Sequence, residues 1–229
     1  MSGSRRAVVI TGAGGSLGSA LSQQFAGEPG TDLVLSDVSR AALDATLAAL
    51  PEPSGDVATL LADVSEFEQV AAVASLAASR FGGIDVFISN AGVLSPNGRI
   101  HNLSTADWER AFRVNVMGAV NGIKAAVALM RPRQAGSIIL TASVSGLTAW
   151  SHAAPYCATK AAVIQLGKVA AVEYARDGIR VNCVCPGTFQ SAIHAELPKE
   201  ALDAIAAFFR APETFRDPGT LSPPPGMPI

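Results

Sequence analysis

The sequence predicts a doubly wound α/β fold, in which helices cover both faces of a parallel sheet. Short apolar runs alternate along the chain with longer alanine-rich segments of helical periodicity. The apolar runs are not interrupted by regularly spaced polar residues, which indicates strands that are buried on both faces. A glycine-rich turn lies between the first apolar run and the first helical segment. Because crossovers between parallel strands are right-handed, this order of elements places helices on both sides of one sheet.

The strands are predicted from the apolar runs, taken in chain order. The first run stops at Thr11-Gly12, the second ends at Asp37, and the last is followed by Pro186-Gly187. The six predicted strands are Ala7–Thr11, Leu33–Ser36, Val57–Ala62, Ile84–Ser89, Ser137–Ala142 and Ile179–Val184.

The helices are predicted from the segments between these strands. The second helix stops before Pro51, because proline cannot continue a helix from within. The predicted helices are Ser16–Gly27, Arg40–Leu50, Glu66–Phe81, Thr105–Met130, Tyr156–Arg176 and Pro198–Arg210. Residues 211–229 contain six prolines and almost no apolar periodicity, so we expect residues 1–210 to form one domain and residues 211–229 an extended or disordered tail.

The composition suits one such domain and excludes several functions. The chain has 229 residues, of which 49% are hydrophobic and 16% charged, so a large core is expected. A formal net charge of −2 gives no electrostatic basis for binding nucleic acid or an anionic membrane, and no apolar run has the length of a membrane span. Three cysteines without a disulfide framework and three scattered histidines predict a reduced, cytoplasmic protein with no metal site.

The glycine-rich turn from Thr11 to Gly18 predicts a nucleotide site. Glycines let the backbone approach a pyrophosphate, and the following helix N-terminus offers free N–H groups. Asp37 lies about 20 residues beyond the turn, where a carboxylate can accept both ribose hydroxyls and repel a 2′-phosphate. No arginine or lysine adjoins Asp37 to offset its repulsion of a 2′-phosphate, and the nearest basic residue in sequence is Arg40. NAD(H) is therefore favoured over NADP(H). Asp37 could also serve as a helix N-cap or turn residue, and Asp63 could contact the adenine amino group or act as a cap.

Tyr156, Lys160 and Ser143 predict acid–base chemistry on an alcohol or carbonyl oxygen. Tyr156 and Lys160 are four residues apart in Tyr-Cys-Ala-Thr-Lys and therefore share one face of a helix. An ammonium group beside a phenol favours the phenolate, so we expect Lys160 to lower the pKa of Tyr156. Ser143 lies thirteen residues upstream, at a strand end from which its hydroxyl could hold the substrate oxygen.

With these residues placed, the chain resembles the short-chain dehydrogenase/reductase family from about Ala7 to Thr188. The turn is similar to the family's Thr-Gly-x-x-x-Gly-x-Gly, except that Ser16 occupies the middle glycine position. If that position needs a positive φ, serine would be strained; if it needs only a small residue, the hydroxyl could contact the phosphates. Ser89-Asn90-Ala91-Gly92 resembles the family's Asn-Asn-Ala-Gly, and Pro186-Gly187 resembles the motif beside the nicotinamide.

The resemblance implies a Rossmann-like fold, a nicotinamide cofactor and a role for each matching residue. Tyr156 would be the general acid/base, Lys160 would lower its pKa and bind the nicotinamide ribose, and Ser143 would orient the substrate oxygen. Asn115 would bend its helix and hold a water that links Lys160 to solvent. The implied cofactor contacts are Gly12, Ser16, Leu17, Gly18, Asp37, Asp63, Val64, Asn90, Ala91, Gly92, Tyr156, Lys160, Pro186, Gly187, Phe189 and Ser191.

Two features depart from the family pattern. No seventh strand follows the last predicted helix, and the substrate region after Pro186-Gly187 is short. The missing strand removes the basis for the family's usual tetramer. Family dimers pack the helix of Tyr156 and that of Asn115 against a second copy, and the first of these is rich in small residues here, so a homodimer is favoured.

The expected function is hydride transfer between NAD(H) and a neutral or apolar alcohol or ketone. The presumed substrate walls, Val93–Pro96, Val144–Pro155 and Phe189–Leu197, are mostly apolar and contain no clustered arginines. His152 in the second wall could hydrogen-bond a substrate or simply face solvent. Two alternatives stay open: an NADP(H)-dependent biosynthetic ketoreductase, and a family member that binds a nucleotide but has lost turnover.

Overall fold

The computed structural model describes residues 5–187, which form a six-stranded parallel sheet with helices on both faces. The strand order is β3-β2-β1-β4-β5-β6. The strands are β1 (Arg6–Thr11), β2 (Thr31–Asp37), β3 (Val57–Leu61), β4 (Val86–Ser89), β5 (Gly136–Thr141) and β6 (Ile179–Val184). This order is that of the doubly wound dinucleotide-binding fold, so the predicted fold class is confirmed.

Six α-helices connect the strands. They are α1 (Ser16–Ala26), α2 (Arg40–Ala48), α3 (Phe67–Phe81), α4 (Thr105–Ala111), α5 (Gly118–Met130) and α6 (Ala154–Tyr174). Ser39 caps α2 by accepting a hydrogen bond from Ala42 N, and Ser104 with Asp107 forms a capping box at the start of α4. Gly82, with φ of 80°, ends α3 in the left-handed conformation.

Alternate residues of the central strands supply two separate hydrophobic layers. Val8 and Ile10 of β1 pack with Leu43 of α2 on one face of the sheet. Val9 of the same strand packs with Val73 of α3 on the other face. Apolar and polar residues do not alternate along the interior of β1, and this predicted a strand buried on both faces. The structure confirms it.

The structure differs from the prediction in the region 105–130. One continuous helix was expected there, but a π-helical turn, Phe112–Met117, separates α4 from α5. A π-turn inserts a residue into the helical ladder and often marks a functional site, and this one contains Asn115.

Other predicted features fall outside the described residues. These are the helix Pro198–Arg210, the extended tail over residues 211–229 and the missing seventh strand. Within residues 5–187, no helix has both the length and the apolar character needed to cross a membrane.

Candidate active site

Most of the predicted site residues in the described part of the chain lie at or just beyond the carboxyl ends of the parallel strands, whereas Asn115 lies in the π-helical turn and Tyr156 and Lys160 lie on α6. β1 pairs with β2 on one side and with β4 on the other. The chain therefore winds in opposite directions from β1, and such a switch point opens a crevice at the carboxyl edge of the sheet. The glycine turn follows β1 and the segment from Asn90 to Gly92 follows β4, so these two predicted cofactor segments meet at the crevice.

The glycine turn packs directly on the segment after β4. Gly12 has φ of 64°, and a Cβ atom there would lie 2.6 Å from Ala91 Cα. Asn90 Nδ2 donates to Gly12 O at 3.1 Å, while Asn90 N donates to Thr11 Oγ1 at 3.1 Å. A Cβ on Gly18 would lie 2.0 Å from Gly12 O, so the helix also packs too closely for any side chain at that position. Both glycines are thus required by the packing of the turn.

Ser16 occupies an unstrained position. It is the first residue of α1, and it is absent from the residues with positive φ, which in the described chain other than glycines are Gln134 and His152. The alternative of a strained serine is therefore wrong, and the position requires no glycine for its backbone conformation. Ser16 is exposed and Leu17 is partly exposed at the start of the helix, where both can face a ligand.

Asp37, the last residue of β2, hydrogen-bonds to the glycine turn. Its Oδ2 accepts from Gly14 N at 2.9 Å, and its Oδ1 accepts from Ser39 N at 2.9 Å. The turn interpretation of Asp37 is thus confirmed, whereas the N-cap interpretation is wrong because Ser39 caps α2. Arg40 lies 3.8 Å from Asp44, so the basic residue nearest to Asp37 in sequence is paired along its own helix.

Asp63 and Val64 form the turn after β3. Asp63 Oδ1 accepts from Ser65 N at 2.9 Å, and Glu66 rather than Asp63 is the N-cap of α3. Val64 is buried, and its carbonyl accepts from Asn121 Nδ2 at 2.9 Å. Asp63 therefore orders a turn, which leaves its second carboxylate oxygen available for a ligand.

Asn115 joins the π-helical turn to the segment after β4. Its Oδ1 accepts from Val93 N at 2.8 Å, and its Nδ2 donates to Val93 O and to Thr159 Oγ1, each at 3.0 Å. Because the side-chain amide has both donors occupied, Asn115 could hold a water only through its carbonyl oxygens, the second lone pair of Oδ1 or the backbone carbonyl. The expected bend at Asn115 stays a prediction, and what the structure shows at this position is the π-turn.

Tyr156, Lys160 and Ser143 come together as predicted. Tyr156 and Lys160 lie on α6, and the Lys160 Nζ atom is 5.7 Å from the centroid of the Tyr156 ring. Ser143 follows β5, and its hydroxyl is close enough to Tyr156 to stabilise the phenolate by a hydrogen bond. Ser143 Oγ also accepts from Ser145 N at 3.1 Å, which leaves the hydroxyl hydrogen to donate.

Burial controls the acid–base properties of this group. Lys160 is 4% exposed, and burial lowers its pKa to about 8, an effect that the nearby Cys185 opposes. Its Nζ donates to Thr141 O at 2.8 Å. Burial also raises the pKa of Tyr156, and the Ser143 hydrogen bond only partly offsets this. The expected lowering of the Tyr156 pKa is not what the structure gives, because the cost of desolvating the phenolate exceeds the stabilisation from the Ser143 hydrogen bond.

The loop that continues the first described wall is hydrogen-bonded to the second wall. Gly98 N donates to His152 O at 3.0 Å, so the loop after Gly92 is joined to the loop before α6. His152 has φ of 66° and Ser151 Oγ lies 2.8 Å from its Nδ1, whereas Leu147 is 65% exposed. Pro186 O accepts from Val144 N at 3.1 Å, which places Pro186-Gly187 beside the second wall.

Three of the predicted features lie outside the described residues, namely Phe189, Ser191 and the wall Phe189–Leu197. Within residues 5–187, no three His, Cys, Asp or Glu side chains cluster closely enough to hold a metal ion.

Known proteins share this arrangement, in which the glycine turn, a buried lysine and a tyrosine meet at one edge of the sheet. The family model for short chain dehydrogenases matches residues 6–202 of this chain.

The chain belongs to the short chain dehydrogenase family.

Relatives of this short chain dehydrogenase are named as reductases and dehydrogenases. Levodione reductase from Leifsonia aquatica is 38% identical over 184 residues, covering 80% of this chain and 68% of that protein. Meso-2,3-butanediol dehydrogenase from Serratia marcescens is 37% identical over 198 residues, covering 86% of this chain and 77% of that protein. These similarities support a dehydrogenase or reductase role.

Solved structures of the family share the fold closely. A crystal structure of levodione reductase superposes with a TM-score of 0.85 at 33% identity, covering 91% of this chain and 83% of that one. A crystal structure of NAD+-bound xylitol dehydrogenase gives a TM-score of 0.77 at 31% identity, covering 81% of this chain and 71% of that one. The family therefore binds a nicotinamide cofactor.

Sequence reasoning missed two residues of this short chain dehydrogenase site. Thr11 was included in the glycine-rich turn without a role of its own, although its hydroxyl oxygen accepts a hydrogen bond from Asn90 N at 3.1 Å. Thr159 was passed over between Tyr156 and Lys160, although it is fully buried and hydrogen-bonds to Asn115. A hydroxyl within an otherwise apolar helix face was the available signal, but its partner is 44 residues away in sequence.

Proposed function

We propose that this protein transfers a hydride between NAD(H) and a neutral or apolar alcohol or ketone, with Tyr156 as general acid/base. The observation that carries the proposal is the placement of both the Ser143 hydroxyl and the Lys160 ammonium close to Tyr156. All three lie at the sheet edge that carries the glycine turn. We propose that residues 1–210 form the catalytic domain, with residues 211–229 as a tail.

The residues present fit a dinucleotide. A Cβ atom on Gly14 would lie 2.6 Å from Ala42 Cβ and 3.0 Å from Asp37 Oδ2, so this position of the turn has no room for a side chain. Gly12, Ser16, Leu17 and Gly18 would hold the pyrophosphate at the N-terminus of α1. The remaining cofactor contacts are proposed to be Asp37, Asp63, Val64, Asn90, Ala91, Gly92, Tyr156, Lys160, Pro186, Gly187, Phe189 and Ser191. The bound cofactor supplies the hydride, and the protein supplies orientation and proton transfer.

Tyr156 would move the proton. Because burial raises its pKa, Tyr156 is a neutral phenol near pH 7 and can donate its proton to a carbonyl oxygen during reduction. Ser143 would donate a hydrogen bond to the same oxygen and so polarise it. Lys160 would bind the nicotinamide ribose and, when charged, stabilise the phenolate left behind. Alcohol oxidation needs the phenolate, so we expect its rate to increase between pH 7 and pH 10.

Asn115 would support this proton transfer indirectly. Its side chain is committed to Val93 and Thr159, so a water linking Lys160 to solvent would be held by a carbonyl oxygen. The π-turn is consistent with this role, because the altered ladder can leave backbone carbonyls unbonded.

The cofactor choice rests on Asp37. Its carboxylate would accept the ribose hydroxyls and repel a 2′-phosphate, which favours NAD(H) over NADP(H). Replacement by alanine should narrow the preference for NADH over NADPH. It should also weaken binding of both cofactors, because Gly14 N loses the acceptor that fixes the glycine turn. An unchanged NADH preference in Asp37→Ala would count against this assignment.

The walls favour an uncharged substrate. Leu147 is exposed at the second wall. The indole N–H of Trp150 is bonded to Thr148 Oγ1 at 3.0 Å, so what Trp150 offers a substrate is its apolar ring. No arginine lies in the two described walls, and a phosphorylated or carboxylated substrate would lack a counter-charge there.

We also propose that the protein is a cytoplasmic homodimer. Support for the dimer comes from exposed apolar side chains on α6 and the neighbouring π-turn. Val172 is 79% exposed, Met117 47% and Val169 44%. Helices with such faces commonly pack on a second copy.

The first experiment is a titration of the purified protein with NADH and with NADPH, followed by nicotinamide fluorescence and by thermal shift. Saturable binding that favours NADH supports the proposal, and a panel of apolar ketones and alcohols would then be assayed. Tyr156→Phe should retain NADH binding and lose turnover by at least about 100-fold. Binding without turnover in the wild type would indicate the impaired family member, and a preference for NADPH would indicate the biosynthetic ketoreductase.

A further inference from the structure

A chain of hydrogen bonds crosses the site behind Tyr156. It starts at the backbone of Val93, passes through the side chain of Asn115 and reaches the hydroxyl of Thr159. Thr159 Oγ1 in turn donates to the backbone carbonyl of Tyr156 at 2.8 Å. Thr159 is therefore the single side chain that connects the π-turn to the backbone of α6 in this network.

The residues of this network are closely bonded and buried. Asn115 binds both backbone groups of Val93, at 2.8 and 3.0 Å, much as a paired strand would. Thr159 is 0% exposed and Asn115 3% exposed, so no water can replace a lost partner without entering the core. A Cβ on Gly92 would lie 3.2 Å from Asn115 Oδ1 and 3.3 Å from Lys160 Nζ. Gly92 thus lies close to both the amide and the ammonium, and a side chain there would require one of them to shift.

We propose that Thr159 is a positioning residue that sets the distance between the segment Ala91–Val93 and the pair Tyr156–Lys160. The hydroxyl does this by using both of its capacities, because it accepts from Asn115 and donates to α6. Valine has the same shape as threonine but can neither accept nor donate a hydrogen bond. It would leave one Asn115 N–H buried without a partner and would free the π-turn to shift against α6. This inference rests on the proposed function, because it assigns Thr159 to the geometry of that site.

The direct test is backbone amide exchange at Val93, whose N–H is bound by Asn115. Thr159→Val should speed the exchange of this amide roughly tenfold, because the acceptor is no longer fixed. Thr159→Ser keeps the hydroxyl and should exchange like the wild type. Thr31→Val is the matched control, because Thr31 is also buried and its hydroxyl accepts from Arg6 Nε, at the opposite edge of the sheet. This control should leave the exchange rate of the Val93 amide unchanged.

The kinetic test separates positioning from a loss of folding. Thr159→Val should lower kcat by roughly 10- to 100-fold, since small displacements of reacting groups are costly, with a smaller effect on KM. Thr159→Ser should restore kcat to within about threefold of the wild type. Thr159→Ala provides the same comparison with serine if the valine variant folds poorly.

Two results would overturn the proposal. One is wild-type exchange of the Val93 amide in Thr159→Val, whatever the kcat of that variant. The other is a serine variant that is as impaired as the valine variant, since the hydroxyl would then not matter. Because amide exchange needs neither cofactor nor turnover, it still decides the role of Thr159 if no substrate is ever reduced, an outcome that would count against the proposed function alone.

Discussion

Lys160 is a charged residue that the fold buries almost completely. It is 4% exposed and has one hydrogen bond to a protein acceptor in the described chain, to Thr141 O. Burial lowers its pKa from 10.5 to about 8, which corresponds to roughly 3 kcal/mol against the charged form in the folded state. The residue therefore reduces stability at neutral pH, as residues placed for function often do.

Replacing Lys160 with methionine should stabilise the fold while removing activity. At pH 7 we expect the free energy of unfolding to increase by about 1–2 kcal/mol, because the burial cost is removed and one hydrogen bond to Thr141 is lost. The wild type binds fewer protons than its unfolded state between pH 8 and 10.5, so its stability rises there relative to the variant. The difference should therefore be constant below pH 8 and shrink above it.

The measurement is urea denaturation of both proteins at pH 7 and at pH 10. Lys168→Met is the control, because Lys168 lies exposed on the same helix and should show no such change with pH. A Lys160→Met variant that is less stable than the wild type at both pH values would contradict the buried-charge argument.

At the scale of elements, the turn between β1 and α1 determines whether a nucleotide can approach. Its glycines differ in what surrounds them. A Cβ on Gly18 would lie 2.0 Å from Gly12 O and 2.8 Å from Ala13 Cα, and backbone atoms cannot move aside. A Cβ on Gly15 would meet only Gly12 O at 3.5 Å, an ordinary contact.

Gly18→Ala and Gly15→Ala therefore form a matched pair with opposite expected results. Gly18→Ala should lower the free energy of unfolding by about 1–3 kcal/mol and abolish NADH binding, because α1 must shift away from the turn. Gly15→Ala should lower the free energy of unfolding by less than about 1 kcal/mol, because the only cost is that alanine is a poorer N-cap than glycine. Thermal melts and NADH titration check both, and equal behaviour of the two variants would show that the turn is not closely packed.

Local patterns in the sequence predicted much of this site, and the remainder depends on tertiary contacts. The glycine turn, Asp37 and the pair Tyr156–Lys160 each lie within one turn or helix, so their spacing was informative. The π-turn was not visible, because one inserted residue hardly changes helical periodicity. The raised pKa of Tyr156 was also missed, since burial of the phenol depends on elements that are distant in sequence.

For the whole molecule, the outer surface of α6 is the feature that internal packing does not explain. Val172 and Val169 are exposed there, and Met117 is exposed on the neighbouring π-turn. Apolar side chains that occur singly need no explanation, but three on adjacent helices are typical of an interface.

Val172→Asp should convert the proposed dimer to a monomer, because a carboxylate would be desolvated at the contact. Sedimentation equilibrium over a range of concentrations measures the change. Ala72→Asp on α3 is the control, because Ala72 is exposed on another helix. Identical masses for wild type and Val172→Asp would show that this surface does not mediate association.

The strand order also governs when the site can assemble during folding. β1 precedes the other described strands in the chain, yet it is enclosed between β2 and β4, and Asn90 N bonds to Thr11 Oγ1 across 79 residues. Closing so long a loop costs entropy before any contact is gained, and parallel pairing of this kind is slow. The site around Gly12 consequently cannot assemble before β4 (Val86–Ser89) has emerged from the ribosome. A nascent chain would gain affinity for nucleotide only after β4 has emerged and inserted beside β1.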